Sequence, residues 1–318
     1  MNAVFLDCEG LDEFSFDGLA GECSALPLFQ TTAPGEVAAR IAGTELVILN
    51  KVRITRDHLL GAPSVRLICV AATGTDIVDL EAASDLGVTV CNCRSYGTDS
   101  VVQHVFAAIL ALHTNLLSYH KAVKDGRWQK ARQFCFLDFP IIELKGKVLG
   151  IVGYGNLGRA VADIAQAFGM KIIIARRPGG PPDDRPTLAE ILPEIDILTL
   201  HCPLTDHTRH LIDSRALALM KPTAFLINAA RGGIVDEAAL AEALRSGKIA
   251  GAAVDVLSSE PPRQGNPLLD PLLTNLIITP HIAWASREAR QRILDQTTEN
   301  IKSFKIGAPI RSVNNPSR

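Results

Sequence analysis

Six residues constrain this chain more than any others. Gly153-Tyr154-Gly155-Asn156-Leu157-Gly158 is a Gly-x-Gly-x-x-Gly pattern between an apolar run at 148–153 and a helical pattern at 157–168. Between a strand and a helix, the first glycine makes a tight turn and the second lets backbone approach a pyrophosphate. The third lets helix and strand pack closely. The helix start adds N–H groups and partial positive charge for phosphate. The six residues are therefore a candidate site for NAD or NADP, and they demand an α/β surrounding.

The rest of the chain meets that demand. Apolar runs at 4–7, 46–50, 67–71 and 88–91 read as buried parallel strands, with helical stretches such as 36–42 between them. Further strands are expected at 148–153, 171–175, 196–201, 224–230, 251–256 and 276–280, and helices at 157–168, 214–220 and 236–246. Residues 100–124 are rich in Ala, Leu and Val and read as one long helix opened by Thr98-Asp99-Ser100. A last helix, at 286–304, is expected to return to the first domain. At 318 residues and 47% hydrophobic, the chain has material for two cores. The fold class is α/β, with two Rossmann-like doubly wound parallel-sheet domains, one flavodoxin-like and one dinucleotide-binding, and a cleft between them. The expected domains are 1–97 plus 287–318, discontinuous and substrate-side, and 98–286, dinucleotide-binding.

The strand after the glycine motif normally ends in an acid that holds the ribose of NAD. Here it ends in Arg176-Arg177-Pro178, and no carboxylate follows until Asp183. Two guanidinium groups suit the 2′-phosphate, so NADP is favoured over NAD.

Three segments at later strand ends carry unusual polar residues: Asn228-Ala229-Ala230-Arg231-Gly232-Gly233, Asp255 to Pro262, and Thr279-Pro280-His281-Ile282-Ala283-Trp284. Open parallel sheets bind ligands at the carboxyl ends of their strands, where these segments can converge. In this order, behind the glycine motif, they resemble the D-isomer-specific 2-hydroxyacid dehydrogenases. Asn50-Lys51 and the His281-to-Ser286 segment look most like the glycerate dehydrogenase, or hydroxypyruvate reductase, branch.

The resemblance implies a catalytic set of Arg231, Glu260 and His281, and a substrate loop at Ala72-Thr73-Gly74-Thr75-Asp76. It implies a cofactor-contacting turn at His201-Cys202-Pro203, with Thr208, Asn228, Ala229, Ala230, Arg231, His281 and Ala283 also at the dinucleotide. The roles follow from chemistry. Reducing a 2-keto acid needs a hydride donor, a proton for the carbonyl oxygen and a counter-charge for the carboxylate. His281 can move the proton, because imidazole titrates near neutrality. Glu260 on the other ring nitrogen orients His281 and stabilises the imidazolium. Arg231 clamps the carboxylate and polarises the carbonyl, while amides around Thr73-Gly74 bind the carboxylate as a nest. Asp255 either contacts the nicotinamide amide or only ends its strand. Trp284 either walls the substrate pocket, from its own or a neighbouring subunit, or packs at an interface. Asn50 and Lys51 are candidates for the substrate's carboxylate or hydroxymethyl end. The reading is a reductase of hydroxypyruvate or glyoxylate, with His281 as general acid and base. The alternatives are a reductase of another short 2-keto acid and a non-catalytic, NAD(H)-sensing corepressor-like protein.

Other signals are expected to carry no chemistry. His207 and His210 have metal-like spacing but no third ligand nearby, so no metal is expected. His104 reads as a buried polar residue near an interface. A net charge of -2 without charged blocks argues against nucleic acid, and no apolar run reaches the roughly 18 residues of a membrane span. Seven scattered cysteines and an N-terminus without a signal-peptide pattern suggest the cytoplasm. A homodimer through the 100–124 region is expected, partly from the resemblance.

Overall fold

Among the described residues, ten short aliphatic runs become strands. They are β1 (Ala3–Phe5), β2 (Leu46–Leu49), β3 (Leu67–Val70), β4 (Thr89–Cys91), β5 (Val148–Val152), β6 (Lys171–Ile174), β7 (Ile197–Leu200), β8 (Phe225–Asn228), β9 (Gly251–Val254) and β10 (Leu276–Ile278). Strands β2, β3, β7, β8 and β9 are buried along their whole length. Continuous apolar runs, rather than alternating ones, are what a sheet covered on both faces selects. The computed structural model describes every residue except Asp12, Pro182, Ser317 and Arg318. The last two positions of the expected 287–318 segment thus lie outside the described residues. The chain divides into two compact units, Met1–Gly97 with Ala285–Arg318, and Thr98–Trp284.

The first unit holds a parallel sheet in the order β1-β2-β3-β4. Residues 25–28 lie along the free edge of β1 through parallel bridges at Asn2–Ala25 and Phe5–Leu28. Counting that edge, the order is the flavodoxin-like 2-1-3-4-5. The edge segment escapes sequence reading because it contains Pro27, which is tolerated only where no donor is needed; Pro27 accepts from the Phe5 amide at 3.0 Å. Just past β1, the buried Asp7 carboxylate accepts the amides of Asn50, Lys51 and Val52 at 2.8, 2.5 and 3.2 Å. Burial raises its pKa, and those three amides and the Lys51 charge oppose the rise. The Arg287–Lys305 helix belongs to this unit, with the Ser286 hydroxyl capping the Ala289 amide. Its Asn300 side chain donates to the Asn92 carbonyl at 3.0 Å.

The second unit holds six parallel strands in the order β10-β9-β8-β7-β5-β6. The crossover from β6 to β7 passes over β5, so the strand order reverses between β5 and β7. Ligands bind at such a reversal in doubly wound sheets. Leu149 and Ile151 of β5 face one core, with Ile197, Phe225, Val161 and the Thr98–Thr114 helix. Val152, Leu198, Leu200, Leu226 and Val254 face the other.

The expected single helix over 100–124 is corrected. It is two helices, Thr98–Thr114 and Leu116–Lys124, bent by 61° at Asn115. Asn115 is left-handed at φ 50°, a conformation asparagine tolerates better than most residues. Its side chain donates to the Pro140 carbonyl at 2.6 Å, and the Ile142 amide takes the His113 carbonyl at 2.9 Å. The returning 140–142 segment therefore satisfies groups that a continuing helix would have used. No single helix among the described residues is long and apolar enough to cross a membrane.

Asn115→Ala is expected to destabilise the protein by about 1–2 kcal/mol, because alanine loses both the hydrogen bond to Pro140 and asparagine's tolerance of the left-handed region, and Asn115→Gly by less, since glycine has no Cβ to strain. Urea unfolding of both variants measures the difference.

Candidate active site

The second unit assembles its polar groups at the carboxyl ends of β5 through β10. At β5, Gly153 has φ +94°, and a Cβ there would lie 2.6 Å from the His201 carbonyl carbon. Only glycine lets the ends of β5 and β7 approach this closely. A Cβ on Gly158 would lie 2.1 Å from the Gly153 oxygen, so the third glycine seats the Asn156–Ala167 helix on its strand. A Cβ on Gly155 would meet nothing within 4 Å, and no side chain caps this helix start. Two crowded glycines and one facing open space are what a pyrophosphate cradle requires. Tyr154 and Leu157 are half-buried beside it, and the Arg159 guanidinium lies 5.0 Å over the Tyr154 ring.

Beyond β6 the chain folds back on itself. Arg176 donates from its amide to Pro186 at 2.7 Å and from Nε to the Arg185 carbonyl at 3.2 Å. Asp183, a few residues further on, comes within 4.0 Å of Arg176. Its carboxylate is gripped by Arg185, whose hydrogen bond holds the Asp183 carboxyl below the usual range. Arg177 is exposed.

At the end of β7, His201 Nε2 lies 2.9 Å from the Thr199 hydroxyl, while Nδ1 is buried without a hydrogen-bond partner. Burial pushes the imidazole down to about 4, and pushes the neighbouring Cys202 thiol up to about 11. The buried Thr208 braces the turn by donating to the Pro203 carbonyl at 2.7 Å and accepting the Thr205 amide at 2.7 Å. His207 and His210 are exposed, and no group of three or more potential ligands among the described residues could hold a metal.

The turns after β8, β9 and β10 form one hydrogen-bonded cluster. The Asn228 side chain accepts the Ala230 amide at 3.1 Å and donates to the Arg231 carbonyl at 3.0 Å, folding Ala229 and Ala230 between them. Arg231 turns its Nη1 to the Ala230 carbonyl at 2.7 Å. A Cβ on Gly232 would sit 1.9 Å from the Leu257 carbonyl carbon, so this turn packs directly on the loop that carries Glu260. Asp255, 3% exposed, organises the third turn. Its carboxylate accepts the Thr279 hydroxyl at 2.6 Å and the amides of Ile282 and Ala283 at 2.9 and 2.8 Å. Its carbonyl accepts the His281 amide at 2.7 Å.

His281 is held in a left-handed conformation, φ 56°, which is rare for a residue other than glycine. The Trp284 indole donates to its carbonyl at 2.9 Å, and its Nδ1 lies 2.6 Å from Glu260 Oε2. Glu260 Oε1 accepts the Leu257 amide at 2.7 Å. Burial alone would raise the Glu260 carboxyl. The His281 hydrogen bond, the Leu257 amide and the nearby charges of His281 and Arg231 outweigh it and keep the group below the usual carboxylate range.

One placement corrects the sequence reading and one went unread in it. His104, expected to be buried near an interface, is partly exposed, with Nε2 3.2 Å from the Thr279 hydroxyl and 3.8 Å from Asp255 Oδ1. Glu237 accepts the Ser258 amide and hydroxyl, both at 2.6 Å, and the Asn266 side chain at 2.7 Å. Its only sequence signal is its place beside Asp236, the N-cap of the Glu237–Arg245 helix. Within the first unit, the Asn92 side chain donates to the Thr73 carbonyl at 2.7 Å and the Cys93 amide to Ala72 at 3.0 Å, fixing the loop that continues through Gly74. Asn50 and Lys51 sit on the Asp7 carboxylate.

Comparison with known proteins identifies the family and the fold. Residues 106–283 match the family model for the D-isomer specific 2-hydroxyacid dehydrogenase, NAD binding domain. The chain is 45% identical to glycerate dehydrogenase of Methylorubrum extorquens, over 96% of both proteins. It is 37% identical to hydroxypyruvate reductase of Blautia hydrogenotrophica, over 99% of this chain and 97% of that one. Among solved structures, it is similar to an NADPH-dependent glyoxylate/hydroxypyruvate reductase of Sinorhizobium meliloti, determined with NADP and malonate. The TM-score is 0.84 and the identity 26%, over 100% of this chain and 98% of that one.

His201 also makes stability depend on pH. Its imidazole takes a proton near 6.5 when unfolded but near 4 when folded. The unfolded chain therefore binds the extra proton first, and stability is lost as pH falls through that window, by about 3 kcal/mol at most. His201→Asn should flatten this part of the dependence in urea unfolding between pH 7 and 4.5.

Proposed function

The chain belongs to the D-isomer-specific 2-hydroxyacid dehydrogenases, and on that premise we propose that it interconverts hydroxypyruvate and D-glycerate, or glyoxylate and glycolate. It is an oxidoreductase of the CH–OH group that uses a nicotinamide dinucleotide. The observation that carries the proposal is the 2.6 Å contact between His281 Nδ1 and Glu260. It commits one ring nitrogen to a carboxylate and leaves Nε2 to meet the substrate oxygen.

The glycine cradle fits the dinucleotide, which supplies the hydride when bound. Residues 153–158 would hold its pyrophosphate. In the reductive direction His281 donates its proton from Nε2 to the carbonyl oxygen, and Glu260 stabilises the imidazolium before that transfer. In oxidation the same nitrogen takes the hydroxyl proton. Arg231 pairs its guanidinium with the substrate carboxylate and polarises the carbonyl. Asp255 acts through the turn it holds.

For the cofactor we propose NADP. Arg176 and Arg177 follow β6 directly, and the strand itself ends in no acid that would bind a ribose diol; Asp183 folds back to 4.0 Å from Arg176 but is gripped by Arg185. We also propose a homodimer. Leu116, Leu117, Trp128, Phe134, Leu137 and Ile141 are all exposed, Phe134 at 88% and Leu137 at 79%. Apolar surface gathered around one bend is a mark of an interface. The seven free thiols fit a reducing compartment, and we place the protein in the cytoplasm.

Steady-state assays with hydroxypyruvate, glyoxylate and pyruvate, each with NADPH and NADH, test the function. Hydroxypyruvate or glyoxylate should be the best acid and NADPH the better donor. His281→Ala should lower turnover by roughly 10²–10⁴-fold, the usual worth of a general acid, with dinucleotide affinity kept. Dinucleotide binding without turnover of any acid would replace the enzyme with a nucleotide sensor. Arg176→Asp should shift preference towards NADH; an unchanged ratio would remove Arg176 from ribose recognition. Sedimentation at micromolar concentration should show a dimer, and Phe134→Asp with Leu137→Asp should give a monomer.

A further inference from the structure

We propose that Glu237 is a positioning residue that fixes Glu260 opposite His281 by clamping the loop on which Glu260 sits. The proposal rests on the reading of His281 and Glu260 as the proton-transfer pair.

Ser258, Ser259 and Glu260 are exposed, and the nearest apolar anchor is Leu257, packed on the core before them. Yet Glu260 must hold a 2.6 Å contact with His281. Beyond Leu257 the stretch is held by polar contacts, and three of them converge on one carboxylate. Glu237 Oε1 accepts the Ser258 amide at 2.6 Å, and Oε2 accepts the Ser258 hydroxyl at 2.6 Å and the Asn266 side-chain amide at 2.7 Å. Ser258 lies two residues before Glu260, and Leu257 before it donates its own amide to Glu260 Oε1. The loop is thus tied inward to Glu260 and outward to Glu237.

Placement explains why this residue can act as a clamp. Glu237 opens the Glu237–Arg245 helix, whose N-cap is Asp236, so the side chain need not cap its own helix. That helix follows the Gly232–Ile234 turn, and Gly232 packs against the Leu257 backbone. Residues 231–237 therefore hold the Glu260 loop by a close backbone contact at one end and a carboxylate at the other. Arg231 is carried on the same stretch.

A carboxylate is needed here. Its two oxygens accept from all three donors, whereas the amide of glutamine has one oxygen and turns an N–H₂ group against a donor. Glu237→Gln keeps the size and reverses half of the hydrogen bonding.

The test uses the full-length enzyme with its dinucleotide: wild type, Glu237→Gln, Glu260→Gln and the double variant. Each is assayed for kcat/KM of hydroxypyruvate reduction across pH, and for dinucleotide affinity. Glu237→Gln should lower kcat roughly tenfold, the scale of a lost hydrogen bond to a charged group. It should also move the alkaline fall of the profile to lower pH, as Glu260→Gln does by more, and leave dinucleotide affinity unchanged. The double variant should be no worse than Glu260→Gln alone, because a residue acting through Glu260 has nothing left to position. A uniform loss of rate with an unmoved profile, or single losses that multiply in the double variant, overturns the proposal and leaves the proton-transfer pair standing. An unmoved profile in Glu260→Gln removes the pair itself, and the proposal with it. If Glu237→Gln does not fold, Ser258→Ala gives the same reading by deleting one of the three bonds. It should shift the profile in the same direction by less, and no shift overturns the clamp.

Discussion

The second unit depends on Asp255. A buried carboxylate is costly unless donors surround it, and here the donors all come from one turn: the Thr279 hydroxyl and the amides of Ile282 and Ala283. The backbone of the same residue takes the His281 amide. One buried residue just past β9 thereby dictates the path of the chain leaving β10, and the position of the imidazole follows from that path. The Ser100 hydroxyl donates to the Ala283 carbonyl at 2.7 Å, so the first turn of the Thr98–Thr114 helix braces the arrangement from the other side.

The first unit repeats the device with different energetics. Asp7 also sits past a central strand and gathers amides from the chain beyond its neighbour. Its burial outweighs the three amides and the Lys51 charge, so its carboxyl titrates above the usual value. At Glu260 the balance is reversed, because an imidazole and a guanidinium stand nearby and outweigh the burial. The same side-chain chemistry is structural where its hydrogen bonds come from backbone amides alone, and electrostatically poised where a titratable side chain is among its hydrogen-bond partners.

What was legible in the sequence was local. Doubly covered strands write themselves as aliphatic runs, and every expected strand is present within a few residues of its expected ends. The glycine motif was legible because turn, approach and packing are encoded within six consecutive positions. What was not legible depends on partners far along the chain. The helix breaks at Asn115 because residues 140–142 return to it. The segment at 25–28 joins the sheet only through its bridges to β1. Over a shorter span, Asp183 approaches Arg176 only because the loop after β6 doubles back. Glu237 looks like an ordinary helix-opening acid until Ser258 and Asn266 are placed beside it.

The backbone at His281 bears on why an imidazole stands there. A left-handed residue with a Cβ costs roughly 1–2 kcal/mol, which glycine would avoid. If the turn needed only its backbone geometry, glycine would be the easier solution, since the Asp255 carbonyl and the Trp284 indole bind backbone groups that glycine also has. The Glu260 contact is the one interaction of the three that requires the side chain. Strain of this kind persists where surrounding contacts over-determine it, and such positions cluster at functional sites. The chain tolerates an unfavourable φ to put an imidazole here, so the selection is for the ring and not for the turn.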